Sequence, residues 1–167
     1  DAGTTGVRAR AISLDGAPSL SSYKEFTQYF PQPGWVEHDA EEIWSAVLST
    51  LHHVCSQLPQ APVAIGITNQ RETLVAWNRA SDEVLAPAIV WQDRRTADRC
   101  HELADELPAV RRITGLVLDP YFTGTKAEWL LRNGVVKPTA QLALGTIDSW
   151  ILWRLSGATT FATDESN

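Results

Sequence analysis

Apolar and polar positions alternate at the start of the chain. In VRARAISL (7–14) small or apolar residues take every second place, and SYKEFTQYF (22–30) repeats an extended pattern after Asp15-Gly16. A period of two describes a strand with one covered face, so the two segments predict a hairpin turning at Asp15-Gly16. PQPGW (31–35) predicts an irregular connection, because two prolines and a glycine cannot continue a ladder. From Ala40 to Leu58 the period changes. Ile43, Val47, Leu51, Val54 and Leu58 recur at steps of four or three, which lays one apolar stripe along a helix. Asp39 stands at the N-cap with Glu42 three residues on, a capping-box spacing, and Pro59 and Pro62 end the helix.

Beyond the prolines, VAIGI (63–67) is a short unbroken apolar run, the pattern of a central strand covered on both faces. TLVAW (73–77) and APAIVW (86–91) predict two further strands around a polar turn, NRASDE (78–83). Helices are expected over 96–107 and 125–131, the second stopped by Asn133-Gly134. LALGT (142–146) predicts a strand, and 148–157 a short helix capped by Asp148 and closed by Gly157. Strands in runs, then strands alternating with helices, indicate an α/β fold with a mixed sheet flanked by helices.

Composition narrows the function classes. The 167 residues are 44% apolar and 20% charged, a globular balance with room for one domain. A formal net charge of −6 with scattered basic residues disfavours a nucleic-acid surface but leaves room for a local anion site. No apolar run reaches membrane-spanning length. Cys55 and Cys100 lie far apart without a CxxC pattern, as idle thiols in a reducing compartment do, and a cytoplasmic protein is expected. His38, His52, His53 and His101 show no metal-ligand spacing.

Four stretches carry candidate chemistry. DAGTT (1–5) joins a carboxylate, a glycine and two hydroxyls, and consecutive backbone N–H groups of such a turn can cradle phosphate oxygens. No GK[ST] follows, so it is not a Walker loop, and a plain hairpin turn has the same composition. ITNQRET (67–73) sets Asn69, Gln70, Arg71 and Glu72 after an apolar run. Arg71 and Glu72 suit either a surface ion pair or a site for adjacent hydroxyls, with arginine donating and glutamate accepting. Trp91 closes a strand before Gln92, Asp93, Arg94 and Arg95, which suits a core residue or an apolar wall at a cleft edge. Tyr121 lies in DPYFTGTK (119–126), a turn-rich entry to a helix, and could offer a hydroxyl from it.

Taken in order, DAGTTGVR, FPQPGWVEHD, ITNQRET, AIVWQDRRT, TGLVLDPYFTGTK and GTIDSWILWRLSG resemble the glycerol kinases over essentially the whole chain. These are carbohydrate kinases of the actin/Hsp70-like (ribonuclease H-like) ATPase fold. The resemblance implies phosphorylation of glycerol by Mg²⁺-ATP. Arg71, Glu72 and Tyr121 match positions that hydrogen-bond glycerol, and Trp91 the residue packed on its carbons. Thr4, Thr5 and Gly6 match the loop facing the nucleotide phosphates, Arg8 a nearby basic contact, and Asp1 the acidic residue near Mg²⁺, directly or through water. ATP, ADP and glycerol are the implied partners, and a homo-oligomer is left open.

The resemblance also implies that residues 1–167 form the N-terminal substrate- and phosphate-binding domain of a two-domain kinase, incomplete at both ends. The catalytic aspartate is then expected beyond Asn167, and the isolated chain is expected to be inactive. Departures from the family pattern are Ala2 for a glutamine, Gly6 for a hydroxyl residue, and Ala127 for a larger apolar one. Asp93 is expected to carry little weight. Related pentulose kinases share the loop layout but generally lack the Arg-Glu pair, so a kinase for another small polyol or pentulose is the neighbouring alternative. A non-catalytic polyol-binding module is the alternative from another class.

Overall fold

β1 (Gly6–Ala11) and β2 (Leu20–Glu25) pair antiparallel from Gly6↔Glu25 to Ala11↔Leu20, forming the expected hairpin. The computed structural model describes residues 1–13, 15 and 19–167; Leu14 and the Gly16 half of the expected turn lie outside the described residues. Val7 and Ala9 face inward, as the alternation requires. The second extended segment leaves the ladder at Glu25, and Tyr29 rejoins the fold through a bridge to Glu37.

α1 (Ala40–Cys55) buries Ile43, Val47 and Val54 of the predicted stripe, with Ala46 and Thr50 beside them. Asp39 caps it by accepting from the Glu41 and Glu42 amides at 2.7 and 3.3 Å. The reciprocal half of the capping box is not made. The Glu42 carboxylate instead accepts from the Thr27 amide at 2.9 Å and the Tyr29 hydroxyl at 2.6 Å, which fastens the 26–30 segment to the helix. α1 ends three residues before Leu58, at a cap on Ser56.

A four-stranded antiparallel sheet lies behind α1, in the order β3 (Glu37–His38), β5 (Val84–Ile89), β4 (Leu74–Asn78), β6 (Leu142–Thr146). Alternate residues of β4 serve opposite faces. Val75 and Trp77 pack with α1 and α5 (Ile147–Leu155), where Trp77 meets Trp150 edge-on at 5.4 Å and Phe161 at 5.2 Å. Leu74 and Ala76 pack with Leu130 of α4 (Thr123–Arg132) on the other face. The sheet is thus covered by helices on both sides.

Three local expectations are corrected. Residues 63–67 form no strand: Val63 is 97% exposed and Ile65 58%. A strand requires a ladder partner, and this stretch meets the sheet only at its far end, where Asn69 makes a parallel bridge to Ala2. The helix expected over 96–107 is divided into α2 (Ala97–Glu102), a 3₁₀ turn (Ala104–Glu106) and α3 (Leu107–Thr114). Pro108 lacks the N–H that a continuous helix would need there, and its fixed φ suits a first turn. Asp148 does not cap α5. Thr146 holds the N-cap position, and buried Asp148 accepts from the Thr146 and Thr163 hydroxyls. Among the described residues no helix is long and apolar enough to cross a membrane.

Candidate functional site

Ala2 anchors the first loop. Its amide donates to the Thr68 carbonyl at 2.8 Å and its carbonyl accepts from the Gln70 amide at 2.9 Å, while its other edge bridges to Val7. The Gly3 amide donates to the Gly6 carbonyl at 3.0 Å, which closes a tight turn around Thr4 and Thr5. Asp1 and Arg8 exchange both backbone hydrogen bonds at 2.8 Å. Directly paired residues put their side chains on one face, so the carboxylate and the guanidinium stand beside each other.

Gly6 is fixed by close approach. A Cβ there would lie 2.6 Å from the Tyr23 hydroxyl and 2.7 Å from the Lys24 carbonyl. The family's hydroxyl residue would not fit. Tyr23 brings its own hydroxyl to the loop, 3.2 Å from Thr5 Oγ1, and its ring lies under the Arg8 guanidinium at 5.4 Å.

The second wall is built from three loops. Trp91 follows β5; its indole N–H donates to Thr4 Oγ1 at 3.0 Å and its ring meets Tyr121 edge-on at 5.6 Å. Its amide donates to Thr73 Oγ1 at 3.2 Å, and that hydroxyl donates to Gln70 Oε1 at 3.1 Å. The Gln70 side-chain amide in turn lies 3.2 Å from His38 Nδ1. Burial pushes the His38 imidazole down to about 4, against the opposing pull of Glu42. A neutral histidine therefore ends a buried polar chain that starts under Trp91.

Glu72 is not paired with Arg71. Its Oε2 accepts from the Thr123 amide at 2.9 Å and the Thr123 hydroxyl at 2.6 Å, so it caps α4 from 51 residues away. That amide is one of the unpaired donors of the helix N-terminus, where a carboxylate is also favoured by the dipole. No donor among the described residues engages Glu72 Oε1. Glu72 itself has φ +62°, a left-handed conformation uncommon for a residue with a side chain. Lys126, fully buried, donates to the Glu72 carbonyl at 3.0 Å and the Tyr121 carbonyl at 2.6 Å.

Thr4, Trp91, Tyr121 and Glu72 are thus joined in one continuous set. Arg71 is exposed and stands apart from it, close enough to Asp164 to help hold that carboxyl below its usual range, behind the hydrogen bonds from Ser166 and Asn167. Thr5, Gly6 and Arg8 gather around Tyr23 at the other end of the loop. A cleft of about 850 Å³ adjoins the set on the far side of Glu72, between Asp119, Phe122 and Thr123 and the facing Phe161 and Thr163. Trp91 and Tyr121 do not line it.

Several supporting residues escaped the reading of the sequence. Asp93 is buried and accepts from the Val36 amide at 2.7 Å, the Arg95 amide at 2.8 Å and the Arg95 side chain at 2.8 and 2.9 Å. Arg95 also bonds Glu37 at 2.8 Å and lies between the rings of Trp35 and Trp129, 3.7 and 4.9 Å away. This anchor ties PQPGW to the segment that carries Trp91. The signal for Lys126 was present but ambiguous: it stands one helical turn from Leu130, on the apolar side of α4.

Comparison with known proteins agrees with this arrangement. The glycerol kinase of Alcanivorax borkumensis is 49% identical over all of this chain, which covers 35% of that protein. The solved glycerol kinase of Plasmodium falciparum, crystallised with ADP, superposes with a TM-score of 0.84 at 25% identity, over 93% of this chain and 33% of that one. A xylulose kinase from Brucella ovis superposes with a TM-score of 0.81 at 28% identity, over 92% of this chain and 32% of that one. The chain spans about a third of the length of the curated relatives it matches. The α/β fold implied by the resemblance is borne out by these neighbours. A family model described as the N-terminal domain of the FGGY family of carbohydrate kinases matches residues 1–167, and the chain belongs to that family.

Proposed function

We propose that this chain supplies the polyol pocket and phosphate loop of a kinase that transfers the γ-phosphoryl group of ATP to a terminal hydroxyl of glycerol. The observation that carries the reading is the Trp91–Thr4 hydrogen bond of 3.0 Å, which joins the loop suited to phosphate to the wall suited to a small polyol. The 49% identity to a named glycerol kinase favours glycerol over a pentulose.

Each residue has a task on this reading. Glu72 accepts a substrate hydroxyl proton through Oε1 while Oε2 stays on Thr123. Trp91 offers a flat apolar face to the carbon chain, and Tyr121, stacked edge-on against it, donates a hydroxyl. Arg71 is exposed and would swing towards the substrate as it binds. Thr4, Thr5 and Gly6 face the phosphates, with Arg8 beside them. Asp1 is a single carboxylate at this loop, which fits Mg²⁺, an ion commonly held by one or two carboxylates, water and substrate phosphates. Mg²⁺ would neutralise charge on the transferring phosphoryl group. The chain's own part is to orient glycerol and exclude water from it.

Residues 1–167 form the N-terminal domain of a two-domain kinase on this reading, and the aspartate that deprotonates glycerol lies beyond Asn167. The test is steady-state kinetics of the complete polypeptide with glycerol and a panel of pentuloses. Arg71→Ala is expected to raise the KM for glycerol at least tenfold, as about 1–3 kcal/mol of charged hydrogen bonding is lost. Preference for a pentulose, or unchanged kinetics in the variant, overturns the assignment. The isolated 167 residues are expected to show no turnover.

A further inference from the structure

We propose that Lys126 is a positioning residue: it sets the spacing between the Glu72 and Tyr121 segments, and so the fit of the pocket to its polyol. The inference rests on the reading of Glu72 and Tyr121 as polyol contacts.

Lys126 is a cation where α4 otherwise turns apolar residues towards the sheet. Leu130, one turn on, packs with Leu74, Ala76 and Ile89. A leucine or methionine at 126 would satisfy that face without the cost of removing an ammonium from water. That cost is visible in the group itself: burial pushes the Lys126 ammonium down to about 8, although Glu72, Asp93 and Asp119 draw it up. Among the described residues Lys126 forms no ion pair. What offsets the burial is two main-chain carbonyls, one on each of the loops that bear the polyol-facing side chains.

The two bonds differ in reach. The Tyr121 carbonyl lies just before α4, so that bond, 2.6 Å long, orders the helix entrance and the residue carrying the hydroxyl. The Glu72 carbonyl belongs to the loop before β4, and the 3.0 Å bond to it spans two elements. It also bears on an uncommon conformation. The φ of +62° at Glu72 turns its carbonyl towards α4, where the Thr123 hydroxyl and the Lys126 ammonium both meet it. Left-handed residues with side chains persist only where their surroundings hold them. Removal of Nζ releases one of those holds and lets Glu72 Oε1 drift from Tyr121. A displacement of the order of 1 Å at a contact residue can cost as much as about a hundredfold in rate.

The experiment uses the complete polypeptide with Lys126→Met and Lys126→Arg. Kinetics with glycerol and ATP are combined with backbone hydrogen exchange over 70–74, 119–123 and the distant β1–β2 hairpin. Lys126→Met is expected to raise the polyol KM about tenfold or more while the ATP KM stays within about twofold. Exchange should accelerate at 70–74 and 119–123 and not in the hairpin, and Lys126→Arg should restore part of both effects. Equal losses for polyol and ATP, a fall in kcat alone, or exchange unchanged at the two loops overturns the proposal. If Lys126→Met does not fold, Lys126→Gln makes the same comparison. Should the enzyme prefer another substrate, the reading of the pocket fails while the exchange pattern still decides whether Lys126 holds the two loops.

Discussion

Trp91 and Thr4 lie 87 positions apart in the sequence and share a hydrogen bond of 3.0 Å. The bond makes one unit of two features that are separately unremarkable, a glycine-threonine turn and a tryptophan at a strand end. On the proposed reading, Trp91→Phe keeps the apolar face and removes the donor. It should raise the KM values for glycerol and ATP together by a few-fold. A double-mutant cycle with Thr4→Val should give a coupling of about 1 kcal/mol, measured by denaturant unfolding.

Glu72 carries a structural and a chemical task on separate oxygens. Glu72→Ala removes the acceptor that caps α4 at Thr123 and should cost about 1–2 kcal/mol of stability along with polyol binding. Glu72→Gln keeps an acceptor oxygen for the Thr123 amide and should lose binding with a smaller fall in stability. Calorimetric titration beside thermal unfolding separates the two tasks.

Gly6 should tolerate no side chain. Gly6→Ala forces a Cβ against the Tyr23 hydroxyl and the Lys24 carbonyl, and the carbonyl is backbone that cannot swing away. A loss of at least about 2 kcal/mol in urea unfolding is expected.

Arg95 should be among the costliest single substitutions in the chain. Its side chain is 2% exposed and that of Asp93 1%, so Arg95→Met leaves buried carboxylate without its partner. Breaking such a pair costs about 3–5 kcal/mol, and the loss of Trp35 and Trp129 packing should appear as a change in tryptophan fluorescence.

Stability should fall on mild acidification. His38 is neutral in the folded chain down to about pH 4 because burial disfavours its charge, whereas unfolded histidine binds a proton near 6.5. The unfolded state therefore binds more protons as pH drops from about 6.5 to about 4, and stability is lost across that window, by no more than about 3 kcal/mol from this group. His52, His53 and His101 are exposed. Urea midpoints taken from pH 7 to 4 should show the fall, and His38→Gln should flatten it.

The elements legible in the sequence are those whose signals are local. Five residues of β6 follow from LALGT alone, and α1 from a stripe with Asp39 before it and prolines after it. VAIGI misled because its composition reports hydrophobicity and not the presence of a ladder partner. The candidate site residues were legible as types, through the resemblance, but their partnerships were not. Nothing near Glu72 in sequence indicates Thr123, and nothing near Thr4 indicates Trp91. Asp93, Thr73 and Lys126 act through contacts that exist only once the sheet and α4 are assembled.

The bare stretch at 63–67 bears on how this domain is handled. Val63 and Ile65 present branched apolar side chains to water on a backbone with no ladder partner among the described residues. Such a stretch is a template for edge-to-edge aggregation between copies. A solution of the isolated domain should therefore turn cloudy at a concentration set by five residues outside the candidate pocket. Lysine at position 63 should raise that concentration without changing the melting temperature, since the side chain it replaces is 97% exposed.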